Sequence, residues 1–347
     1  MNLIKSQKSA IIVFAIALLL TNSVTYWLLK LNKKDESSTE SSQENASLYS
    51  NTSSNCSYKI KRLNGFNYVS PLLFVDNQCE SDDLNPLKQN IISLIENYKK
   101  QGIINSASIY LKTYTKNDWI EINNEEKFLP GSLMKVPELI TFLKMNEENP
   151  GVLNKIITFD HPFNFDVHPN ILSKSIQLGH SYTIRELLNY MIQYSDNNAT
   201  ALLNSNMDLK VFNAIFTDLG LATPDWKKPN YPITAKEFSL FMRTLYNASY
   251  LNVKDSEFAT ELLSKCNYKA GIVNSLPPGT KTAHKFGEDG NEVEQQLSES
   301  AIVYLDNNPY LITIMTKGND YKKLPEVIQQ ISSIVYQTML TNAKNAS

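Results

Sequence analysis

Residues 128–137 read Phe-Leu-Pro-Gly-Ser-Leu-Met-Lys-Val-Pro and place Ser132 three positions before Lys135. Pro130 and Gly131 favour a helix start here, and a helix brings residues three apart onto one face. A serine is a weak nucleophile until a neighbour takes its proton, and a partly desolvated lysine with a lowered pKa can do so. Considered alone, such a pair is more often an ordinary serine and lysine on a helix surface.

A second motif, Ser195-Asp196-Asn197, lies where one helical pattern ends and the next begins. At such a junction Ser195 is placed to relay a proton and Asn197 to bind a substrate amide. Asp196 is placed to cap the following helix. The alternative, that the three residues only form a helix-capping turn, is at least as good for the motif alone.

A third motif, His284-Lys285-Phe286-Gly287, falls on a predicted strand late in the chain. Lys285 is placed to bind an anionic substrate group or Ser195. Gly287 permits a close approach to the strand backbone, which makes the amide of Glu288 a candidate oxyanion donor. The alternative is an edge strand with a solvated Lys285 and a packed Phe286.

Apolar periodicity predicts strands early and late in the domain, with helices between them. Strands are predicted at residues 107–111, 119–122, 281–286, 301–305 and 310–315, and helices at 85–101 and 323–340. Capping boxes at Thr183 and Thr234 open two of the middle helices. The simplest assembly is an α+β fold: one antiparallel sheet built from both chain ends and flanked by helices, with an inserted all-helical subdomain.

Residues 10–29 form an apolar run long enough to cross a bilayer, which predicts a transmembrane anchor after a cytoplasmic tail at residues 1–9. A cleaved signal peptide is the alternative, although no clean Ala-x-Ala site follows. Residues 30–57 are rich in Ser, Asn and Glu and predict a disordered linker. Residues 58–347 are the predicted catalytic domain. Lysines flank the apolar run on both sides, so charge does not decide its orientation.

The composition limits the classes of partner that the protein is expected to bind. The 347-residue chain has a formal net charge of −2 and gives no electrostatic reason to expect nucleic acid. None of the cysteines and histidines shows metal-ligand spacing, so no metal or cofactor is expected. Spacing leaves open whether Cys56 and Cys79 form a disulfide. Cys266 lies in a helical pattern and is expected to be a buried free thiol.

With these motifs in this order, the chain resembles the penicillin-recognising serine hydrolases, most closely the class A β-lactamase-like group, from about residue 84 to the C-terminus. The resemblance implies a β-lactamase/transpeptidase-like fold. It implies Ser132 as the acylated nucleophile, Lys135 as general base and Ser195 as a second proton relay. The remaining implied roles concern substrate: Asn197 contacts it, Lys285 anchors its carboxylate and tunes Ser195, and the amides of Ser132 and Glu288 form the oxyanion hole.

The chain departs from that family twice. Phe286 stands where Ser or Thr is usual between Lys and Gly, and shifting the motif to Lys281-Thr282-Ala283 loses the glycine. The segment expected to carry a water-activating glutamate, residues 219–233, is short and contains no Glu. Asp225 is its only carboxylate and fits a turn better than a general base. Without a water-activating base, acylation can proceed while deacylation stalls, so the sequence leaves open whether deacylation is efficient.

Three functions remain open. The first is a membrane-anchored, extracytoplasmic hydrolase that cleaves a β-lactam or related amide through a Ser132 acyl-enzyme. The second is a D,D-peptidase-type enzyme acting on cell-wall peptides with slow deacylation, and the third is a non-catalytic binder of such peptides. In each case we expect a monomer held at the cell membrane by a single N-terminal helix, with a small β-lactam or cell-wall peptide as its partner.

Overall fold

The computed structural model describes residues 56–163, 171, 174–225, 231–291, 293–306 and 308–346. The predicted anchor at residues 10–29 and nearly all of the predicted linker lie outside these residues. Among the helices in the described ranges, none combines the length and apolarity that a bilayer crossing needs.

Within the ranges that the structure describes, nine strands form three antiparallel sheets. In chain order they are β1 (Tyr58–Arg62), β2 (Leu72–Asn77), β3 (Ser106–Thr113), β4 (Trp119–Ile122), β5 (Ile156–Thr158), β6 (Ser181–Thr183), β7 (Thr282–Gly290), β8 (Gln295–Val303) and β9 (Tyr310–Gly318). The central sheet has the order β4-β3-β9-β8-β7, so its strands come from both ends of the domain, as predicted. β7, which carries the third motif, is an edge strand and leaves one backbone edge unpaired within the sheet.

Eight α-helices in the described residues flank this sheet. They are α1 (Asn85–Lys100), α2 (Lys135–Glu148), α3 (Ile184–Gln193), α4 (Asn197–Asn204), α5 (Leu209–Leu219), α6 (Ala235–Tyr246), α7 (Val253–Ser264) and α8 (Leu324–Ala346). Helices α2 to α7 lie between the early and the late strands, which confirms the predicted α+β arrangement. The capping boxes of Thr183 with Glu186 and of Thr234 with Glu237 are both formed.

Two apolar clusters of buried residues lie on either side of the central sheet. One contains Leu139, Leu188 and Phe241 and joins the sheet to the middle helices. The other contains Ile91, Ile314 and Ile331 and joins the sheet to α1 and α8. The alternation of side chains along a strand produces this division, because successive residues point to opposite faces. The middle helices and the late strands therefore meet over one face of the sheet.

The sequence pattern did not predict the hairpin of β1 and β2. A disulfide between Cys56 and Cys79 closes its base. Asp76 on β2 accepts hydrogen bonds from both terminal nitrogens of Arg243 on α6 and lies 3.3 Å from the Lys112 ammonium. Arg243 is buried, so this bidentate pair connects the hairpin to the domain through a partly desolvated contact.

Cys266 is buried and unpaired, as expected. It follows α7, which ends at Ser264, and so lies just beyond the helix in which it was placed. Burial raises the pKa of its thiol, so this cysteine has the character of a packed core residue.

Candidate active site

Ser132 lies in a short 3-10 helix, Gly131–Met134, which continues into α2 at Lys135; we call it the Ser132 turn. The sequence had predicted a single helix here. Gly131 has a φ of +49°, so the chain enters in a left-handed conformation before the α-helix begins. Ser132 is half-buried, and in the described part of the chain no hydrogen bond joins its Oγ to Lys135 or Ser195.

The Ser132 turn packs directly against the free edge of β7, and two glycines make the contact fit. A Cβ on Gly131 would lie 2.1 Å from the carbonyl oxygen of Glu288. A Cβ on Gly287 would lie 2.1 Å from the carbonyl oxygen of Pro130. Any side chain at either position forces the two segments apart. The glycines thus bring the backbone of Glu288 next to the residue preceding Ser132.

Ser195 receives hydrogen bonds from two lysines. The Lys135 ammonium lies 3.1 Å from Ser195 Oγ, and the Lys285 ammonium lies 3.0 Å from the same oxygen. Lysine has donors only, so Ser195 Oγ accepts from both and keeps its own proton to donate. All three motifs therefore meet around one hydroxyl group.

Lys135 has three acceptors: the Ser195 carbonyl oxygen at 2.7 Å, Ser195 Oγ at 3.1 Å and Asn197 Oδ1 at 2.8 Å. Three acceptors match the three hydrogens of an ammonium, so this arrangement is that of charged Lys135. Asn197 turns its amide oxygen towards Lys135. Its amide nitrogen is left as the donor available to a substrate carbonyl.

Asp196 is the N-cap of α4, as the sequence predicted, and its carboxylate accepts from the backbone amides of Asn198 and Ala199. It also accepts from Ser175 Oγ at 2.7 Å and from the Ile176 amide at 2.9 Å. These four donors hold the turn that contains Ser195. Ser195 itself has a φ of +54°, a conformation costly for a residue with a side chain and typical of functional sites.

Both lysines are buried, with 3% of Lys135 and none of Lys285 exposed. Burial lowers the pKa of Lys135, and the positive charge of Lys285 lowers it further. Burial also lowers the pKa of Lys285 to about 8. Desolvation disfavours the ammonium form, and a second cation nearby adds repulsion. The proximity of two such lysines therefore makes a neutral amine accessible nearer to physiological pH.

Lys285 contacts Ser195, which is one of the two contacts that the sequence suggested for it, and the alternative of a solvated lysine is wrong. It is not solvated, and its ammonium contacts Ser195 Oγ and, at 2.8 Å, the carbonyl oxygen of Phe286. Of the two registers considered for the third motif, the one with Lys285 reaches Ser195. The exposed Lys281 instead lies 4.8 Å from the ring centre of Tyr304.

Phe286 is packed, with 2% of its surface exposed. Its ring stacks on Tyr268 with centres 4.4 Å apart and lies 3.9 Å from the Lys285 ammonium. The position that usually carries a hydroxyl therefore contributes to the core and covers Lys285.

Glu288 is half-buried and lies opposite the Ser132 turn through its backbone. Asp225, the carboxylate in the segment expected to hold a water-activating glutamate, is exposed. Residues 226–230 of that segment lie outside the described residues. In the ranges that the structure describes, no three His, Cys, Asp or Glu side chains are grouped as metal ligands.

Two residues near the site were not identified from the sequence. Ser175 supports Asp196, and nothing in its local pattern distinguishes it. Glu138 is buried on α2, three residues after Lys135. Its signal was present, because it is the one charged residue between positions 136 and 143 of an otherwise largely apolar helix.

Comparisons with known proteins agree with this architecture. The chain is similar to the structure of PBP-A (22% identity, 74% of this chain and 97% of that chain, TM-score 0.61). It is also similar to the class A β-lactamase from Mycobacterium abscessus (19%, 73% and 98%, TM-score 0.59). A PBP-A variant with 20% identity was solved as an acyl-enzyme complex with penicillin G (74% and 97%, TM-score 0.60).

At these identities the structural similarity establishes the fold, which is the β-lactamase-like α+β fold. No curated protein sequence matches the chain. The model of the beta-lactamase enzyme family matches residues 86–339, which is most of the chain and includes all three motifs. The chain therefore belongs to the beta-lactamase enzyme family.

Proposed function

We propose that this protein is a membrane-anchored, extracytoplasmic serine hydrolase that opens a β-lactam or related amide through an acyl-enzyme on Ser132. The observation that carries the proposal is Ser195 Oγ, which accepts hydrogen bonds from two buried lysines on separate elements. Such an arrangement has little structural purpose at a half-buried serine. It has a clear chemical purpose, because it holds a hydroxyl proton ready for a leaving group.

In the proposed acylation, neutral Lys135 takes the proton of Ser132 Oγ as that oxygen bonds to the amide carbon. The backbone amides of Ser132 and Glu288 stabilise the negative charge on the substrate oxygen. The C–N bond then breaks, and Ser195 gives its proton to the departing nitrogen. Lys135 or Lys285 reprotonates Ser195. Lys285, which is buried beneath Ser195, affects substrate through that hydroxyl.

A second candidate is a D,D-peptidase-type enzyme whose acyl-enzyme is hydrolysed slowly. The exposed Asp225 favours it, because an exposed carboxylate on a short side chain is poorly suited to activate a water at Ser132. The acyl-enzyme complex of a PBP-A variant with penicillin G supports acylation as chemistry within reach of this fold.

The test is intact-mass analysis of the full-length chain, in detergent, after exposure to a fluorescent penicillin. A stoichiometric adduct is expected on the wild type and none on Ser132→Ala. Ser205→Ala, which removes an exposed hydroxyl at the end of α4, is the matched control and is expected to acylate normally.

The lifetime of the adduct separates the candidates. Loss within seconds with release of opened penicillin supports a β-lactamase, and an adduct that persists for hours supports the D,D-peptidase type. An adduct that survives Ser132→Ala contradicts the assignment of the nucleophile. No adduct on the wild type contradicts the proposed hydrolase and leaves a non-catalytic peptide-binding protein.

A further inference from the structure

Glu138 is a buried carboxyl group with few hydrogen-bond donors around it. Only 6% of the residue is exposed. One oxygen, Oε1, accepts a hydrogen bond of 3.3 Å from the side-chain amide of Asn204 on α4. The other, Oε2, is buried and has no hydrogen-bond partner in the described part of the chain. A carboxylate left in this state is costly unless a cation is close.

The neighbouring cation is Lys135. The two residues are three apart in the first turn of α2, and such neighbours on a helix have their Cβ atoms about 5–6 Å apart. Helix α4 connects them a second time, because Asn197 at its start contacts Lys135 and Asn204 at its end contacts Glu138. Lys135 and Glu138 are therefore neighbours on α2, and both contact α4.

Four charged groups act on Lys135. The positive charge of Lys285 on β7 favours its neutral form, and the carboxylates of Glu138, Asp196 and Glu288 favour its ammonium form. Asp196 is already engaged with the α4 amides and with Ser175, which share its charge among several donors. Among these carboxylates, Glu138 has an oxygen that is buried and has no donor.

Glu138 in turn responds to Lys135. Burial raises the pKa of the Glu138 carboxyl, whereas the positive charge of Lys135 and the hydrogen bond from Asn204 lower it. Each group thus favours the charged form of the other, while burial disfavours both charges. The protonation of the two residues is coupled.

We propose that Glu138 is a positioning residue that supplies the internal counter-charge of Lys135 and so sets the pH at which Lys135 can accept the proton of Ser132. The effect on catalysis rests on the proposed function. The electrostatic coupling of Glu138 and Lys135 does not, and it is measurable in the absence of any substrate.

The experiment is an NMR titration of Lys135 in the full-length chain labelled with ¹³C,¹⁵N-lysine, with the signal assigned by Lys135→Arg. Glu138→Gln keeps the shape and the acceptor for Asn204 but removes the charge. We expect the Lys135 midpoint to fall by about one pH unit. The acid limb of the acylation rate against pH should move in the same direction.

Two further variants separate charge from structure. Glu148→Gln is the matched control, since it removes an exposed carboxylate from the same helix, about 15 Å along the helix axis from Glu138. Its Lys135 midpoint should equal that of the wild type. Glu138→Asp restores a charge and should return the midpoint towards the wild-type value. If Glu138→Gln does not fold, Asn204→Leu removes the hydrogen bond that favours the carboxylate, and it should lower the midpoint in the same direction.

An unchanged Lys135 midpoint in Glu138→Gln, or in Asn204→Leu where that variant replaces it, overturns the inference, even if both variants lose stability. A shifted midpoint without any penicillin adduct on the wild type supports the coupling and contradicts the proposed function. An adduct on Ser132 together with an unchanged Lys135 midpoint supports the proposed function and contradicts the coupling.

Discussion

Phe286 is the residue at which this chain differs most visibly from its family, and its ring explains the difference. The side chain is buried between Tyr268 and the Lys285 ammonium. A hydroxyl at this position would give up an aromatic stack and the apolar cover over a buried lysine. Phe286 therefore contributes to the packing around Lys285 and has no hydroxyl group to offer to a ligand.

Restoring the family residue with Phe286→Thr should therefore harm the protein. Removing most of a buried ring leaves a cavity, and we expect a loss of about 3 kcal/mol in the free energy of unfolding, measured in urea. We expect no gain in acylation rate. Phe66→Thr removes an equal ring from an exposed position and should change stability by no more than about 0.5 kcal/mol. A faster acylation in Phe286→Thr contradicts this view of the position.

At the scale of elements, the sequence predicted what local interactions determine. The cap residues Thr183, Asp196 and Thr234 act within three residues of themselves, so a short motif is enough to identify them. The hairpin of β1 and β2 was not predicted, because β1 is short and mostly exposed and β2 opens with four consecutive apolar residues that do not alternate with polar ones. Its connection to the domain also depends on the distant Arg243. The site shows the same division between local features, which the sequence predicted, and distant contacts, which it did not.

The motifs identified the site residues, but the geometry between them depends on tertiary contacts. Neither the positive φ of Ser195 nor the burial of Lys285 has a signal in the sequence. The Ser132 turn lies against β7 because Gly131 and Gly287 leave room for it, and this is a contact between segments far apart in the chain.

That contact between elements is testable with Gly287→Ala. The new Cβ would lie 2.1 Å from the Pro130 carbonyl oxygen and 2.7 Å from the Leu133 amide nitrogen. The Ser132 turn must therefore move away from β7. Since a displacement near 1 Å can cost about 100-fold in rate, we expect acylation to slow by about that factor. Gly279→Ala, at a φ of +86° and with nothing within 4 Å, adds backbone strain without a clash; it is the control for destabilisation alone and should acylate at nearly the wild-type rate. Equal rates in the two variants would contradict the requirement for close contact.

Across the whole molecule, ionisable side chains are buried on both sides of the central sheet. Burial raises the pKa of Tyr231 and Tyr304 to about 12. The unfolded chain releases these protons near pH 10, before the folded protein does. This contribution to stability is therefore present below pH 10 and is lost as the pH rises towards 12. Tyrosinate absorbance, recorded at pH 9, 10 and 11 for the folded and the urea-unfolded protein, should show ionisation that is delayed in the folded state.

The buried lysines act on stability in the opposite direction, and Lys285 allows this to be isolated. Its pKa is about 8 in the folded protein and 10.5 as the reference value, so the unfolded state binds more protons between these two pH values. Stability due to this group therefore rises with pH across that window. The difference in pKa corresponds to about 3 kcal/mol, an order-of-magnitude figure for a fully buried group.

We expect Lys285→Met to remove that dependence. The difference in free energy of unfolding between wild type and variant should change by about 2 kcal/mol in favour of the wild type between pH 7.5 and pH 10. Tyrosine ionisation is common to both proteins and cancels. Lys281→Met removes an exposed lysine from the residue before β7 and controls for the loss of one positive charge. If the difference in free energy of unfolding between wild type and Lys285→Met stays constant with pH, the prediction is contradicted. Such a result would mean that the charged Lys285 ammonium is solvated in the folded protein, because only a buried ammonium carries a desolvation penalty that deprotonation removes.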